Sequence, residues 1–283
     1  MEKIVISGVT SGLGTEWLYK LDTGGPIEFF ILARNKEKLR SLLNRRPLSN
    51  KAHFISCDFS SLASVNLASE EVFSRANSID VLINNAGMWG KDDIQLSEDQ
   101  IELTFAVNQL APYALTGRLM PLLLNSTNPR VVNTASFRHS GAKIAKDDIE
   151  LRRNFNAELA YCNSKLFNIL FTRQLAKITA DSPLRVNCFD PGIVNTPMLK
   201  VGFPEWLSVA YPLIARLVAR SPKRGAETGV FLSKITRDEK ISGEYFKDKK
   251  IKKVSSLARD ADLAEWLWSQ CESFSGLKYP QLE

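Results

Sequence analysis

The stretch "KIVISGVTSGLG", residues 3–14, runs a short apolar strand into a glycine-rich loop, and a helical pattern follows from about residue 12. Gly8, Gly12 and Gly14 allow the backbone to turn tightly and to lie close against a pyrophosphate. The start of the following helix supplies unpaired N–H groups and a partial positive charge. A plain glycine-rich turn would have the same letters. The strand before it and the helix after it are the context that favours phosphate binding.

The alternation set up by this unit continues along the chain. Apolar, β-favouring runs stand at 3–7, 27–32, 52–56, 79–83, 130–136 and 184–189, with a weaker seventh, "GEYF", at 243–246. Helical patterns lie between them, at 12–21, 35–44, 61–76, 97–124, 157–180 and 225–236. Strands this apolar are buried on both faces, which predicts a parallel sheet covered by helices on each side. The expected fold is a single α/β domain over residues 1–283: a Rossmann-type, doubly wound parallel sheet of about seven strands. No internal repeat or low-complexity linker divides it.

The composition, 44% hydrophobic and 24% charged, is that of a globular protein. The net charge of +6 suits an anionic surface or a phosphorylated cofactor. The densest basic run, Lys247 to Lys253, has no interleaved aromatic residue and reads as a solvated surface. Four scattered cysteines and two histidines suggest neither a disulfide framework nor a metal site. No signal pattern precedes the first strand, and no apolar run is long enough to span a bilayer. A reducing, cytoplasmic setting is expected.

The end of the second strand distinguishes between nicotinamide cofactors. An acidic residue there holds the ribose 2′-hydroxyl of NAD, whereas an arginine accommodates the 2′-phosphate of NADP. The chain reads "FFILARNKEKL": no carboxylate follows the strand, but Arg34 does, with Lys38 one turn on. NADP(H) is therefore expected over NAD(H). The stretch "LAYCNSKLFNIL", residues 159–170, reads as a helix that places Tyr161 and Lys165 four apart on one face.

Further motifs follow the strands in order: "CDFSS" at 57–61, "NNAG" at 84–87, Ser136 after the fifth strand and "PGIVNT" at 191–196. Asn108 sits in "FAVNQLAPYALT". From about residue 3 to residue 272 the chain resembles a short-chain dehydrogenase/reductase of the compact branch. "LAYCNSKLFNILFTRQLAK", "GAETGVFL", "SGEYF" and "LAEWLW" are similar to the retinol dehydrogenase and WW-domain oxidoreductase group. Ser7 stands where that family usually has threonine, and Asp190 where the group often has histidine.

The resemblance implies a catalytic set of Asn108, Ser136, Tyr161 and Lys165. A free phenol has a pKa of about 10. A Lys165 cation on the same face favours the phenolate, so Tyr161 is expected to act as general acid in reduction and general base in oxidation. Ser136 is expected to polarise the substrate oxygen, Lys165 to bind ribose hydroxyls, and Asn108 to hold a water beyond Lys165. The implied cofactor contacts are Gly8, Thr10, Ser11, Gly12, Leu13 and Gly14 of the loop, then Asp58, Phe59, Asn85, Ala86, Gly87, Tyr161, Lys165, Pro191, Gly192, Val194 and Thr196. Asn85 has the alternative of tying strands together, and Pro191–Gly192 of turning the chain. An apolar segment broken by Pro204 and Pro212, about residues 198–225, is expected to close over the substrate as a lid.

The expected activity is NADP(H)-dependent hydride exchange with a lipophilic aldehyde, ketone or alcohol. The runner-up is a catalytically silent NADP-binding regulator, which predicts loss of Ser136, Tyr161 or Lys165; all three are present. The expected partners are a small lipophilic substrate and at most a peripheral membrane surface. No nucleic acid is expected, and homodimer and homotetramer stand open.

Overall fold

The computed structural model describes residues 1–23, 25–198, 219–236 and 239–280. Its strands are β1 (Glu2–Ser7), β2 (Ile27–Ala33), β3 (Lys51–Ser56), β4 (Val81–Asn84), β5 (Arg130–Thr134), β6 (Arg185–Asp190), β7 (Tyr245–Lys247) and β8 (Lys250–Ile251). They form one sheet in the order β3-β2-β1-β4-β5-β6-β7-β8. The first seven are parallel, as the buried apolar runs predict. The eighth, a two-residue strand, returns antiparallel to β7. The strand order reverses beside β1 and β4, so a crevice opens at the carboxyl ends of those strands.

The alternation of side chains across each strand builds two cores. Ile4, Ile6, Phe29 and Ile31 point to one face, where they meet Trp17 and Leu18 of α1 (Gly12–Leu21) and Leu39 of α2 (Lys36–Arg45). Val5, Phe30 and Leu32 point to the other. There they meet α3 (Leu62–Arg75), α4 (Ala111–Leu124), α5 (Ala157–Ile178) and α7 (Ala261–Ser275), while α6 (Glu227–Ser233) joins the first face. Each fully buried Leu, Ile or Phe contributes roughly 1.5–3 kcal/mol. Both faces of the sheet are thereby covered, which is why its central strands contain so few polar residues. No described helix is long and apolar enough to cross a membrane.

The helix expected over 97–124 is interrupted. Gln100 has a left-handed φ of 61°, and Leu96 forms an isolated bridge with Glu102. The Glu102 carboxylate then accepts the N–H groups of Thr104 and Phe105, opening a short turn, Leu103–Phe105. A π turn, Ala106–Leu110, comes before α4 begins. In a continuous α-helix the Asn108 carbonyl would take its hydrogen from residue 112, which is Pro112 and has none. Of the expected lid, residues 199–218 lie outside the described residues.

The chain after α7 folds back onto α4. The Tyr279 hydroxyl donates to the Tyr113 carbonyl at 2.7 Å, and the Tyr113 hydroxyl donates to the Leu277 carbonyl at 3.1 Å. A Cβ at Gly117 would stand 2.5 Å from the Tyr279 ring. Gly117→Ala gains up to about 1 kcal/mol of helix propensity, but overpacking costs about 1–3 kcal/mol. Urea denaturation is expected to show a net loss of stability, and a more stable variant would mean that the tail does not pack there.

Candidate active site

The cleft at the carboxyl ends of the strands encloses about 1110 Å³. Every cofactor-contact candidate lines it: Gly8, Thr10, Ser11, Gly12, Leu13, Gly14, Arg34, Lys38, Asp58, Phe59, Asn85, Ala86, Gly87, Pro191, Gly192, Val194 and Thr196. Ser136, Tyr161 and Lys165 line the same space. Asn108 is buried one layer behind it.

The glycine loop owes its shape to contacts that only hydrogen permits. Gly8 has a φ of 70°, and a Cβ there would stand 2.8 Å from the Ala86 backbone. A Cβ at Gly14 would stand 2.1 Å from the Gly8 carbonyl oxygen. The Ser7 hydroxyl donates to the Ile83 carbonyl and accepts from the N–H groups of Asn85 and Ala86, so the serine ties β1 to the end of β4. The start of α1 has no side-chain cap and no acidic residue in its first turn. By contrast, α2, α3, α5 and α7 are each capped by a side chain, from Asn35, Ser61, Asn156 and Asp260 respectively. The unsatisfied N–H groups of α1 therefore fit an anionic group such as a pyrophosphate.

At the far side of β2, Arg34 Nη1 lies 3.4 Å from the Asp58 carboxylate, with its side chain 76% exposed. Burial pushes the Asp58 carboxyl up, but the Ser60 N–H and hydroxyl and the Arg34 guanidinium outweigh it and hold the group below the usual range. Such an exposed ion pair is worth about 0–1 kcal/mol, so Arg34 separates from it readily. Lys38 contributes its backbone N–H to the Asn35 cap, which leaves its ammonium exposed. Asn85 does tie strands: its amide donates to the Ser7 and Gly8 carbonyls and accepts from the Thr134 hydroxyl. Gly192, with a φ of 78°, turns the chain after β6.

Helix α5 delivers Tyr161 and Lys165 to the cleft, and Ser136 follows the end of β5. Lys165 Nζ donates to the Thr134 carbonyl at 2.9 Å and to Asn168 Oδ1 at 3.1 Å, and lies 5.7 Å from the centre of the Tyr161 ring. Among the described residues no carboxylate pairs with it. Burial pushes the Lys165 ammonium down to about 8. Burial also pushes the Tyr161 phenol up to about 12, against a hydrogen bond from Ser136 that lowers it. The Arg138 guanidinium also lowers it, and burial outweighs both opposing effects.

The Asn108 side chain is committed to the loop after β4. Its Oδ1 accepts from Met88 N, and its Nδ2 donates to the Met88 carbonyl and to the Ser164 hydroxyl. Its main-chain carbonyl accepts from Asn168 Nδ2 at 2.7 Å. Asn108 thus reaches Lys165 through Asn168. The motif reading overlooks Asn168, although its place three residues after Lys165 puts it on the same helical face. Trp89 is overlooked as well. Its ring stacks on that of Tyr161, with centroids 4.3 Å apart, and the Arg138 guanidinium lies over its indole. No spacing rule links Trp89 to Tyr161, because they come from different elements.

A model of the family described as short chain dehydrogenase matches residues 2–205. Human retinol dehydrogenase 14 is 34% identical over 221 residues, which are 78% of this chain and 66% of that protein. The chain therefore spans just under two thirds of that relative's length. Human retinol dehydrogenase 13 is 27% identical over 286 aligned residues, covering 99% of this chain and 86% of that one. Among solved structures, an uncharacterized protein from Mycobacterium paratuberculosis superposes with a TM-score of 0.79 at 26% identity, covering 99% of this chain and 95% of its own.

The depressed Lys165 pKa is also a statement about stability. The unfolded lysine binds its proton up to about pH 10.4, whereas the folded one releases it near 8. Between those values the unfolded chain holds more protons, so this group makes the protein more stable as pH rises. At about 1.4 kcal/mol per unit, the burden near neutral pH is on the order of 3 kcal/mol. Lys165→Met is expected to be more stable than wild type at pH 7, with the difference shrinking by pH 10. Denaturant melts across that range check this; a difference that does not change with pH would contradict it.

Proposed function

The chain belongs to the short chain dehydrogenase family, and from that premise we propose that it is an NADP(H)-dependent oxidoreductase acting on lipophilic carbonyl compounds and the matching alcohols. One observation carries the reading. Ser136, Tyr161 and Lys165 face the same cleft as a glycine loop that ends in an uncapped helix start.

The loop of Gly8 to Gly14 and the first N–H groups of α1 take the pyrophosphate. Arg34, free to separate from Asp58, and the neighbouring Lys38 would hold a 2′-phosphate. Asp58 and Phe59 would hold the adenine. Asn85, Ala86, Gly87, Pro191, Gly192, Val194 and Thr196 line the same cleft and would hold the rest of the cofactor. When bound, the nicotinamide supplies the carbon that gives or takes the hydride. Ser136 donates a hydrogen bond to the substrate oxygen and polarises it. In reduction Tyr161 gives its phenolic proton to that oxygen, and in oxidation the phenolate takes it back. Lys165 would hold the ribose hydroxyls, and its positive charge beside the phenol favours the phenolate in the step that needs it.

The preference for lipophilic substrates follows from the rim. Leu96, Phe137 and Ile193 line the cleft and are among the exposed large apolar side chains, at 41%, 37% and 37% exposure. Trp89, stacked on Tyr161, adds a further apolar surface to the same cleft. The two human relatives at 34% and 27% identity, both named retinol dehydrogenases, agree with this class of substrate.

Tyr161→Phe is expected to bind NADPH normally and to lose at least about 100-fold in turnover, the scale of a lost general acid. Turnover close to wild type would remove Tyr161 from the mechanism. Arg34→Asp is expected to weaken NADPH binding by about 10–100-fold, the worth of a hydrogen bond between charged groups, and NADH binding little. Equal losses for both cofactors would show that Arg34 does not read the 2′-phosphate.

A further inference from the structure

A buried ammonium needs oxygen acceptors, and Lys165 has two: the Thr134 carbonyl and Asn168 Oδ1. The carbonyl belongs to the β5 backbone and would be present whatever the side chains. Asn168 is a choice made by the sequence, and the amide is 4% exposed.

Its orientation is fixed by its neighbours. Nδ2 donates to the Asn108 carbonyl at 2.7 Å and to Gln109 Oε1 at 3.2 Å. Flipped, the amide would set its oxygen against those two acceptors and its N–H groups against the ammonium. Only one orientation satisfies all three partners. The acceptors on the far side are themselves held. Gln109 Nε2 donates to the Cys271 sulfur of α7 at 3.7 Å. The Asn108 carbonyl lies in the π turn, where Pro112 removes the donor that an α-helix would supply. The Asn108 carbonyl thus lacks its α-helical donor, and Asn168 Nδ2 donates to it while Oδ1 faces Lys165.

We propose that Asn168 is a positioning residue for the hydride-transfer site: its amide, wedged between the Asn108 carbonyl and Lys165 Nζ, holds the lysine charged and in place beneath Tyr161. The inference rests on the oxidoreductase reading and deepens it. Asn168 does not touch the reacting atoms and acts through Lys165. Burial alone drives that ammonium toward its neutral form. Two neutral acceptors oppose this, and losing one from a buried cation shifts its titration down by about one to two units.

The other groups that bear on the pair are few. Lys165 faces the Tyr161 ring, and among the described residues no carboxylate. Tyr161 is influenced by Asp190 from the end of β6, Arg138 from the turn after β5 and Cys162 on its own helix. Asp190 is itself paired with Lys247 of β7 at 2.9 Å. None of these contacts passes through Asn168.

The test is the pH profile of alcohol oxidation, at saturating NADP⁺, for wild type, Asn168→Leu and Asn168→Ser. In wild type the rate is expected to fall on the acid side as Tyr161 becomes protonated. With the lysine neutral at working pH, the phenolate loses its support, so the acid limb is expected to move up by about one unit or more. At pH 7 kcat is expected to fall about 10-fold, the equivalent of that one-unit shift, while KM for the alcohol stays within about threefold. Serine is too short to reach both partners, so it should shift the limb in the same direction, and it serves alone if the leucine variant fails to fold. An acid limb that coincides with wild type in either folded variant overturns the role of Asn168. A wild-type acid limb that persists unchanged in Tyr161→Phe overturns instead the reading on which the inference rests, and the inference with it.

Discussion

Lys165 is buried at the wall of the cleft, and no carboxylate among the described residues pairs with it. A charge in that position is held by oxygen dipoles alone, the Thr134 carbonyl and Asn168 Oδ1. Much of the surrounding architecture exists to make those oxygens available. The Thr134 carbonyl is at the carboxyl end of β5, where the sheet stops giving its acceptors to neighbouring strands. Asn168 is held by the Asn108 carbonyl, whose α-helical donor is removed by Pro112. The cost in stability near neutral pH is the condition for having a cation next to the phenol.

A second constraint operates at the other end of the cleft, and it is steric. The Gly8 and Gly14 backbones approach so closely that a methyl group at either would collide with main-chain atoms. That contact brings the start of α1 down onto the ends of β1 and β4. Because no side chain caps α1, its N–H groups remain available to an anion. Ser7 reinforces the junction by bonding across to β4. The glycine-loop end of the cleft is therefore shaped by what is missing from side chains, and the Tyr161 end by side chains that are buried and bonded.

These two kinds of constraint explain what the sequence made legible. Gly8, Gly12 and Gly14 were readable because steric demands fix residue type at fixed spacing. The strands were readable because burial on both faces requires continuous apolar runs. Tyr161 and Lys165 were readable from one helical period. The break in the helix expected over 97–124 was not, although Pro112 and the capping Glu102 were visible, because apolar periodicity continues through the π turn. The two-residue strand β8 is too short to carry a pattern. Asn168 lies on the same helical face as Lys165, but an asparagine in a helix carries no signal until its partners are known. The stack of Trp89 on Tyr161 joins residues 72 positions apart, which no local pattern reports. The apolar rim of Leu96, Phe137 and Ile193 is likewise assembled only by the fold.

The central claim is that this cleft moves a hydride between a nicotinamide and a lipophilic carbonyl carbon. The most direct measurement follows the hydride itself. The protein is incubated with NADPH carrying deuterium at the transferable position of C4 and with retinal or a steroid ketone, and the product alcohol is analysed by mass spectrometry. The account predicts one deuterium, located on the carbinol carbon. Alcohol formed without the label, or no reduction of any lipophilic carbonyl while NADPH is bound, would contradict it.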